Sequence, residues 1–225
     1  MLLPWWKLVR PKQDIIDGES VDLGLYAIHL DQIASGERNA PVIYLDPKLF
    51  FQNTVFTNGM MSVIRHVQNR LSGNMDSGSV INLNTAFGGG KTHTLVLLYH
   101  MFQNGEKVRK WLPKESLERV VYHIQDTEIP KARVITWVGT NYSPKNPDKN
   151  GMTTPWGQIL GQLGSEAVKK IKPFDKDKTR PDTETIRKLL DDGEPTLFLF
   201  DEILSAMEVL RAEKVGETTL NHQFR

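Results

Sequence analysis

The sequence predicts an α/β fold in which a parallel sheet carries helices on its faces. Short apolar runs typical of buried strands alternate with segments of helical periodicity, and this alternation is typical of parallel sheets. Two motifs lie within the alternation: a glycine-rich turn at residues 88–90 and an acidic strand end at Asp201 and Glu202. Each motif follows an apolar run that is predicted to be a strand. Ligands of open α/β sheets bind at the carboxyl ends of the strands, which is where both motifs lie.

The composition describes an ordinary soluble protein. Its 225 residues suffice for one domain with a hydrophobic core, and the net charge of +1 gives no support for a nucleic-acid or membrane partner. The absence of cysteine excludes disulfides, cysteine-ligated zinc and a thiol nucleophile. The N-terminal segment is broken by Pro4 and too short for a secretory signal, and no apolar window approaches a membrane span. We therefore expect a cytoplasmic protein.

We expect residues 1–75 to form an arm and helices that pack on the core, and residues 76–225 to form the core itself. The predicted elements of the first part are an irregular arm over residues 1–20, a helix from Ser20 that closes near Gly36, a short strand or extended segment over residues 42–45, and a helix capped by Thr57 and stopped at Gly73.

The central motif is a predicted phosphate-binding loop. Residues 80–83 are expected to form a buried strand, and the run from Leu95 to Phe102 a buried helix. Three glycines between them allow several backbone N–H groups to point into one hollow, and the helix N-terminus adds its positive dipole end. The predicted nucleotide-binding residues are Phe87, Gly88, Gly89, Gly90, Lys91, Thr92 and His93.

The roles within this loop follow from side-chain chemistry. Lys91 would place a positive charge on the outer phosphates of a nucleoside triphosphate, and the Thr92 hydroxyl would hold Mg²⁺. The usual spacing G-x-x-x-x-G-K-[ST] expects glycine where this chain has Thr85. The alternative interpretation is a glycine-rich turn that only connects a strand to a helix.

The helix after the loop is expected to run from Thr92 to Asn104 and to be buried nearly all round. His93 and His100 lie seven residues apart on it; we favour a role for His93 in steadying the loop over a metal pair. The remaining predicted elements are a helix after Pro113, a strand over residues 133–138 with a polar end at residues 139–144, a helix from Thr154, a helix capped by Asp182 or Thr183, a strand over residues 195–202, and a helix over residues 203–212.

The strand over residues 195–202 ends in two carboxylates. Asp201 would complete the Mg²⁺ shell, and Glu202 would orient and deprotonate an attacking water. The alternative is a strand that ends in a solvated acidic turn. The predicted catalytic residues are therefore Glu202 and Lys91, and the predicted metal-binding residues are Thr92 and Asp201.

These motifs resemble a family of large bacterial and archaeal proteins, described as predicted ATPases of the AAA+ superfamily with a domain of unknown function. The shared features are Pro4-Trp5-Trp6, the Asp-Pro-x-x-Phe-Phe element at residues 46–51, the Phe-Gly-Gly-Gly-Lys-Thr-His loop at residues 87–93, the Trp-Gly-Gln-Ile-Leu helix at residues 156–160, and the Asp201-Glu202 strand.

The resemblance covers nearly the whole chain, and it implies that threonine in place of glycine at position 85 is usual in the family. It implies an AAA+-like P-loop NTPase fold, ATP and Mg²⁺ as cofactors, and DNA or DNA-modification and phage-defence proteins as partners. Family members are longer, so we expect the core to be incomplete at the C-terminus, without the strand that lies between the acidic strand and the loop strand. The oligomeric state of a longer protein stays open.

Three functions are therefore weighed. The first is an ATPase module in which Glu202 acts as the base. The second is a nucleotide-binding regulatory or assembly module with little turnover, or an inactive truncated piece, which the missing C-terminal elements favour. The third is a phosphate-loop kinase, against which the adjacent Asp201 and Glu202 argue, since a water-activating glutamate is more typical of hydrolases. ATP and GTP are not distinguished.

Overall fold

The computed structural model describes residues 28–84 and 88–212, with residues 4, 7, 9–10, 16–18, 214–215 and 218–219. Most of the predicted N-terminal arm and the start of the helix expected from Ser20 lie outside the described residues. The α-helices are α1 Leu30–Ser35, α2 Val42–Leu45, α3 Pro47–Asn53, α4 Asn58–Leu71, α5 Lys91–Asn104, α6 Lys114–His123, α7 Pro155–Leu160, α8 Ser165–Lys176, α9 Thr183–Leu190 and α10 Ile203–Ala212. The 3-10 helices are Gly105–Lys110, Gly139–Asn141 and Gly161–Leu163, and the strands are β1 Arg133–Val138, β2 Thr196–Asp201, β3 Lys214–Val215 and β4 Thr218–Thr219.

The central sheet is the parallel pair β1–β2. Its register runs from Arg133 opposite Thr196 to Val138 opposite Asp201, so the two strands end at the same edge. The helices between them make the parallel crossover, because parallel neighbours need a long connection. The prediction of two parallel strands at these positions is confirmed. The strands β3 and β4 form a separate antiparallel pair.

Two hydrophobic cores lie on opposite faces of this sheet. On one face, Val138 and Leu199 pack with buried residues of α1, α3, α4, α5 and α6. On the other face, Ile135 and Trp137 pack with buried residues of α7, α8, α9 and α10. The alternation of faces along β1 follows from the two-residue period of a strand. The chain is therefore a mixed α/β protein with helices on both faces of a small sheet, as the sequence predicted.

Helix starts follow the capping residues. The side chains of Asp46, Thr57, Thr154 and Asp182 accept hydrogen bonds from first-turn amides of α3, α4, α7 and α9. Such caps satisfy donors that have no partner inside the helix. The predicted caps at Thr57, Thr154 and Asp182 are confirmed. The predicted end of the first helix near Gly36 is also confirmed, since Gly36 takes the left-handed conformation after α1.

The predicted buried strand over residues 80–83 is wrong in this structure. Residues 80–84 form no helix or strand, and Val80 is 85% exposed. Strand β2 pairs with β1, and no described strand lies beside residues 80–84 to accept or donate ladder hydrogen bonds. Without such a neighbour, the backbone of this segment is left to hydrogen-bond with water.

Two further differences concern helices. Residues 42–45, expected to be extended, form the short helix α2, because Tyr44 N donates to the Pro41 carbonyl and Asp46 N to the Val42 carbonyl. Helix α8, which continues past Pro173, was not predicted from the sequence. Its buried Ala167 and Ile171 lie four residues apart on one face, which is a helical signal.

Within the described part of the chain, no helix combines the length and hydropathy needed to cross a bilayer.

Candidate functional site

The candidate site lies where β1 and β2 end and α5 begins. The Thr92 hydroxyl on the first turn of α5 donates a 2.7 Å hydrogen bond to Oδ2 of Asp201, the last residue of β2. The two residues are 109 positions apart in the chain, so the fold brings them together. This contact unites the two motifs that the sequence analysis picked out separately.

The Asp201 carboxylate is buried, and each of its oxygens accepts a hydrogen bond. Its side chain belongs to a residue only 7% exposed, and its Oδ1 accepts a 3.1 Å hydrogen bond from the Glu202 backbone N–H. Glu202 itself is exposed and has a positive φ of 50°. A glutamate is uncommon in this left-handed region, because its Cβ crowds the backbone there. The neighbouring acids therefore have different environments, one fixed and buried, the other exposed at the edge of the sheet.

The glycine-rich turn leads directly into α5. Gly88 and Gly90 have φ values of 74° and 76°, and a Cβ built on either would meet no atom within 4 Å. Gly90 is the N-cap of α5 and, having no side chain, cannot itself accept a hydrogen bond from the first-turn amides. Gly88 and Gly89 are exposed, so the turn is accessible from solvent at these two residues. Phe87, predicted to contact the nucleotide, lies outside the described residues.

Lys91 is the first residue of α5 and is partly buried. Its position at the helix N-terminus places a positive charge beside the positive end of the helix dipole, an arrangement suited to anions. Its proposed contact with phosphate stays a prediction.

The His93 ring faces α3. His93 Nε2 lies 3.2 Å from the Thr54 hydroxyl, and that hydroxyl donates to the Phe50 carbonyl at 2.8 Å. Since the Thr54 hydroxyl has one hydrogen, His93 Nε2–H is the donor to it, and Nδ1 carries the lone pair. The ring also packs on Phe50, with 4.9 Å between centroids. Burial lowers the pKa of His93, so the neutral ring is favoured. These contacts tie the first turn of α5 to α3, and the predicted role of His93 in steadying the loop stays a prediction.

His100 makes a second connection to the same segment. Its Nε2 lies 2.7 Å from the Tyr44 carbonyl, and the residue is only 3% exposed. Burial lowers the pKa of His100, while the Tyr44 carbonyl and the Asp46 charge act in the opposite direction. Within the described residues no group of three or more His, Cys, Asp or Glu side chains could hold a metal ion. The histidines of α5 therefore anchor the helix to α2 and α3.

The turn after β1 contributes residues that sequence reasoning did not assign. Gly139 approaches Glu202 so closely that a Cβ on Gly139 would lie 2.1 Å from the Glu202 carbonyl oxygen. Asn141 Nδ2 donates to Oδ2 of Asp31 on α1, while Asp31 Oδ1 is a buried atom with no hydrogen-bond partner. The polar strand end was a visible signal for Gly139 and Asn141. No pattern in the sequence pointed to Asp31 or Thr54.

Together these features define a mixed α/β chain with a hydroxyl, a buried carboxylate and a helix N-terminus close together where two parallel strands end. The model of the DUF499 N-terminal domain matches residues 27–221. The chain therefore belongs to the DUF499 family, whose function is not established. No curated protein matches the chain. No solved structure matches it either.

Proposed function

We propose that this chain is the nucleotide-binding part of an AAA+-like, P-loop ATPase that binds and hydrolyses Mg-ATP. The observation that carries the proposal is the 2.7 Å contact between the Thr92 hydroxyl and the Asp201 carboxylate. A hydroxyl on the first turn of a helix after a glycine-rich loop, beside a carboxylate at a strand end, is the pair that holds Mg²⁺ in P-loop enzymes.

The residues present fit Mg-ATP. Thr92 and Asp201 offer oxygen ligands, which Mg²⁺ prefers, and two such ligands suit an ion that takes its other ligands from phosphates and water. The open turn at Gly88 and Gly90 leaves room for phosphate beside the first amides of α5. Bound Mg-ATP would supply the electrophilic phosphorus and the charge-neutralising ion.

Each residue then has a defined task. The first amides of α5 and the Lys91 ammonium bind the phosphate oxygens and stabilise negative charge that builds up on them. The hydrogen bond to Asp201 orients the Thr92 hydroxyl, and these two residues would hold the Mg²⁺ ion. Glu202, exposed at the strand end, holds a water and accepts its proton. Because Glu202 is exposed, its carboxylate is accessible to water.

A second candidate is a module that binds nucleotide with little turnover. The lack of strand pairing at residues 80–84 favours it, because the segment before the loop is not hydrogen-bonded to the described sheet that carries Asp201, although Leu83 packs against the core. Both candidates require nucleotide binding, and only the first requires hydrolysis. DNA or DNA-modification proteins remain proposed partners on the resemblance alone.

Thermal melts with and without Mg-ATP test the binding. At a hundredfold excess over Kd, a ligand of the folded state stabilises it by about 2.7 kcal/mol. We expect Lys91→Ala to lose this stabilisation, and Lys110→Ala to retain it. Lys110 provides a matched control because it is an exposed lysine in the 3-10 helix beyond the other end of α5. Equal stabilisation of the wild type and Lys91→Ala would reject the loop assignment.

The metal pair is tested by two threonines on the same helix. Thr92→Val removes the hydroxyl that contacts Asp201, whereas Thr94→Val removes one that donates to the Gly90 carbonyl at 2.9 Å. We expect only Thr92→Val to make the ATP-induced shift insensitive to Mg²⁺. Phosphate release by the wild type then separates the two candidates, and parallel melts with Mg-GTP measure the base preference.

A further inference from the structure

The backbone of Glu202 is held in an unusual conformation. Its φ of 50° lies in the left-handed region, which residues with a Cβ rarely adopt. The Glu202 N–H donates to Asp201 Oδ1, and the Glu202 carbonyl accepts from Ser205 N at 3.1 Å, in the first turn of α10. Such strained residues persist only where their surroundings determine the conformation, and they cluster at functional sites.

Gly139 lies directly against this backbone. The pairing of Val138 with Asp201 places Gly139, the next residue after β1, beside Glu202. A Cβ on Gly139 would lie 2.1 Å from the Glu202 carbonyl oxygen, 2.9 Å from its carbonyl carbon and 3.2 Å from the Ala206 Cβ. The two closest atoms belong to backbone, so a side chain at position 139 would force Glu202 to move.

We propose that Gly139 is a positioning residue that fixes the backbone of Glu202 at the end of β2, and with it the place of the Glu202 carboxylate. The part of this proposal that concerns the catalytic carboxylate rests on the function proposed above. Its structural part, the close packing of Gly139 on the Glu202 carbonyl, stands on the backbone geometry alone. The three atoms nearest a Cβ on Gly139 belong to Glu202 and Ala206, so we expect the substitution to change the position of Glu202 more than nucleotide binding at α5.

The first test is Gly139→Ala, with Gly157→Ala as its matched control. A Cβ on Gly157 would lie 2.2 Å from Oδ1 of Asp175, so both variants create a close contact at a similar distance, but the contact at Gly157 is with a side chain and lies on α7. We expect Gly139→Ala to keep the Mg-ATP thermal shift and to lose at least tenfold in kcat. Gly157→Ala should lower Tm and keep the kcat of the folded protein. Retained kcat in Gly139→Ala would overturn the proposal.

The second test is a double-mutant cycle that needs no turnover. Glycine at position 202 can take other backbone conformations, so the carbonyl can move away from a Cβ on residue 139. We expect Gly139→Ala to lower Tm at most half as much in the Glu202→Gly background as in the wild type. In the Glu202→Ala background, which keeps a Cβ but removes the carboxylate, the full decrease should remain. Additive effects in both backgrounds would overturn the proposal.

The two tests separate this inference from the proposed function. If the wild type shows no Mg-ATP shift, the proposed function fails, and the cycle alone decides whether Gly139 fixes Glu202. If the wild type binds Mg-ATP without hydrolysing it, the cycle again decides. If the wild type hydrolyses ATP and Gly139→Ala does so equally well, the function stands and the positioning role is rejected.

Discussion

At the scale of single residues, Asp175 shows how a buried charge organises part of the fold away from the site. Asp175 lies at the end of α8 and is 5% exposed. Its carboxylate accepts hydrogen bonds from the backbone N–H of Thr153 at 3.0 Å and of Thr154 at 2.8 Å, and from both threonine hydroxyls. The start of α7 is thereby tied to α8, and both helices cover one face of β1.

We predict that Asp175→Asn lowers the free energy of unfolding by about 2–4 kcal/mol, because an amide cannot accept from all of these donors and its NH₂ group opposes them. Urea denaturation of the full chain measures the change. Asp177→Asn is the control: it makes the same chemical change two residues away, on an exposed side chain, and should alter stability by less than about 0.5 kcal/mol. Equal effects of the two variants would contradict this role of Asp175.

The residue scale also marks where sequence reasoning ended. The pairing of Thr92 with Asp201 follows from motif chemistry, since each residue type has a known task in such a loop. The contact between Gly139 and the Glu202 carbonyl depends on the register of two strands 63 residues apart, as in the pair Arg133–Thr196. No local pattern encodes that register. The Thr54–His93 hydrogen bond likewise joins residues that are far apart in the chain, and no local pattern predicts it.

At the scale of elements, α5 is the helix on which the candidate site depends. Residues 95–102 of this helix are all buried, as its nearly continuous apolar sequence predicted. His93 and His100 fix it to α3 and α2, and Ala132 N donates to the Phe102 carbonyl just before β1 begins. A shift of α5 would therefore move Lys91 and Thr92 relative to Asp201.

We predict that the chain loses stability as the pH falls below about 6.5, because burial lowers the pKa of His93 and of His100 from that ordinary value. The unfolded chain then binds more protons than the folded one, so stability is full above pH 6.5 and declines toward the lowered folded-state pKa values. Melts between pH 7.5 and 5.5 measure this slope. This window lies above the ordinary range of carboxyl titration.

A substitution of His100 tests whether this buried histidine causes the decrease in stability at low pH. His100→Gln can still donate to the Tyr44 carbonyl but does not titrate, so we expect a shallower decline of Tm with acidification. His29→Gln is the control, since His29 is exposed at the N-cap of α1. A slope that is unchanged in His100→Gln would show that His100 does not contribute.

Helix and strand positions were largely predictable, and the exceptions have physical causes. Strong local signals, such as the caps at Thr57, Thr154 and Asp182, agreed with the structure. The run at residues 42–45 is too short for periodicity to separate helix from strand, and backbone hydrogen bonds from the Pro41 turn decided the outcome. Helix α8 was missed because it contains Pro173, and a proline inside a helix removes one backbone hydrogen bond and usually marks its end.

At the scale of the whole molecule, a sheet of two strands separates two large hydrophobic cores. The outer edge of β1 is closed by Gln162, whose amide Nε2 donates to the Thr136 carbonyl at 2.8 Å. No described strand pairs with the other edge of β2, and Phe200 on that strand is 38% exposed. The Gln162 side chain thus covers part of the free edge of β1. The candidate site includes Asp201 on β2, the other strand.

This arrangement predicts a contrast in backbone protection along the chain. We expect the amides of residues 80–83 to exchange with solvent rapidly, because residues 80–82 are exposed and the segment pairs with no described strand. Amides of β1 and of residues 95–102 in α5 should exchange far more slowly, since they are hydrogen-bonded and β1 lies between the two cores while α5 is buried within one of them. Hydrogen exchange read by mass spectrometry distinguishes these peptides.

The same experiment with Mg-ATP connects the segment to the site. If residues 80–83 exchange as slowly as β1 without nucleotide, the strand predicted from the sequence forms in solution and the exposed conformation is wrong. Protection that arises only with Mg-ATP would show that phosphate binding at α5 orders the segment that precedes the loop. Lys91→Ala should then abolish that protection and Lys110→Ala should keep it, because only Lys91 lies at the N-terminus of α5.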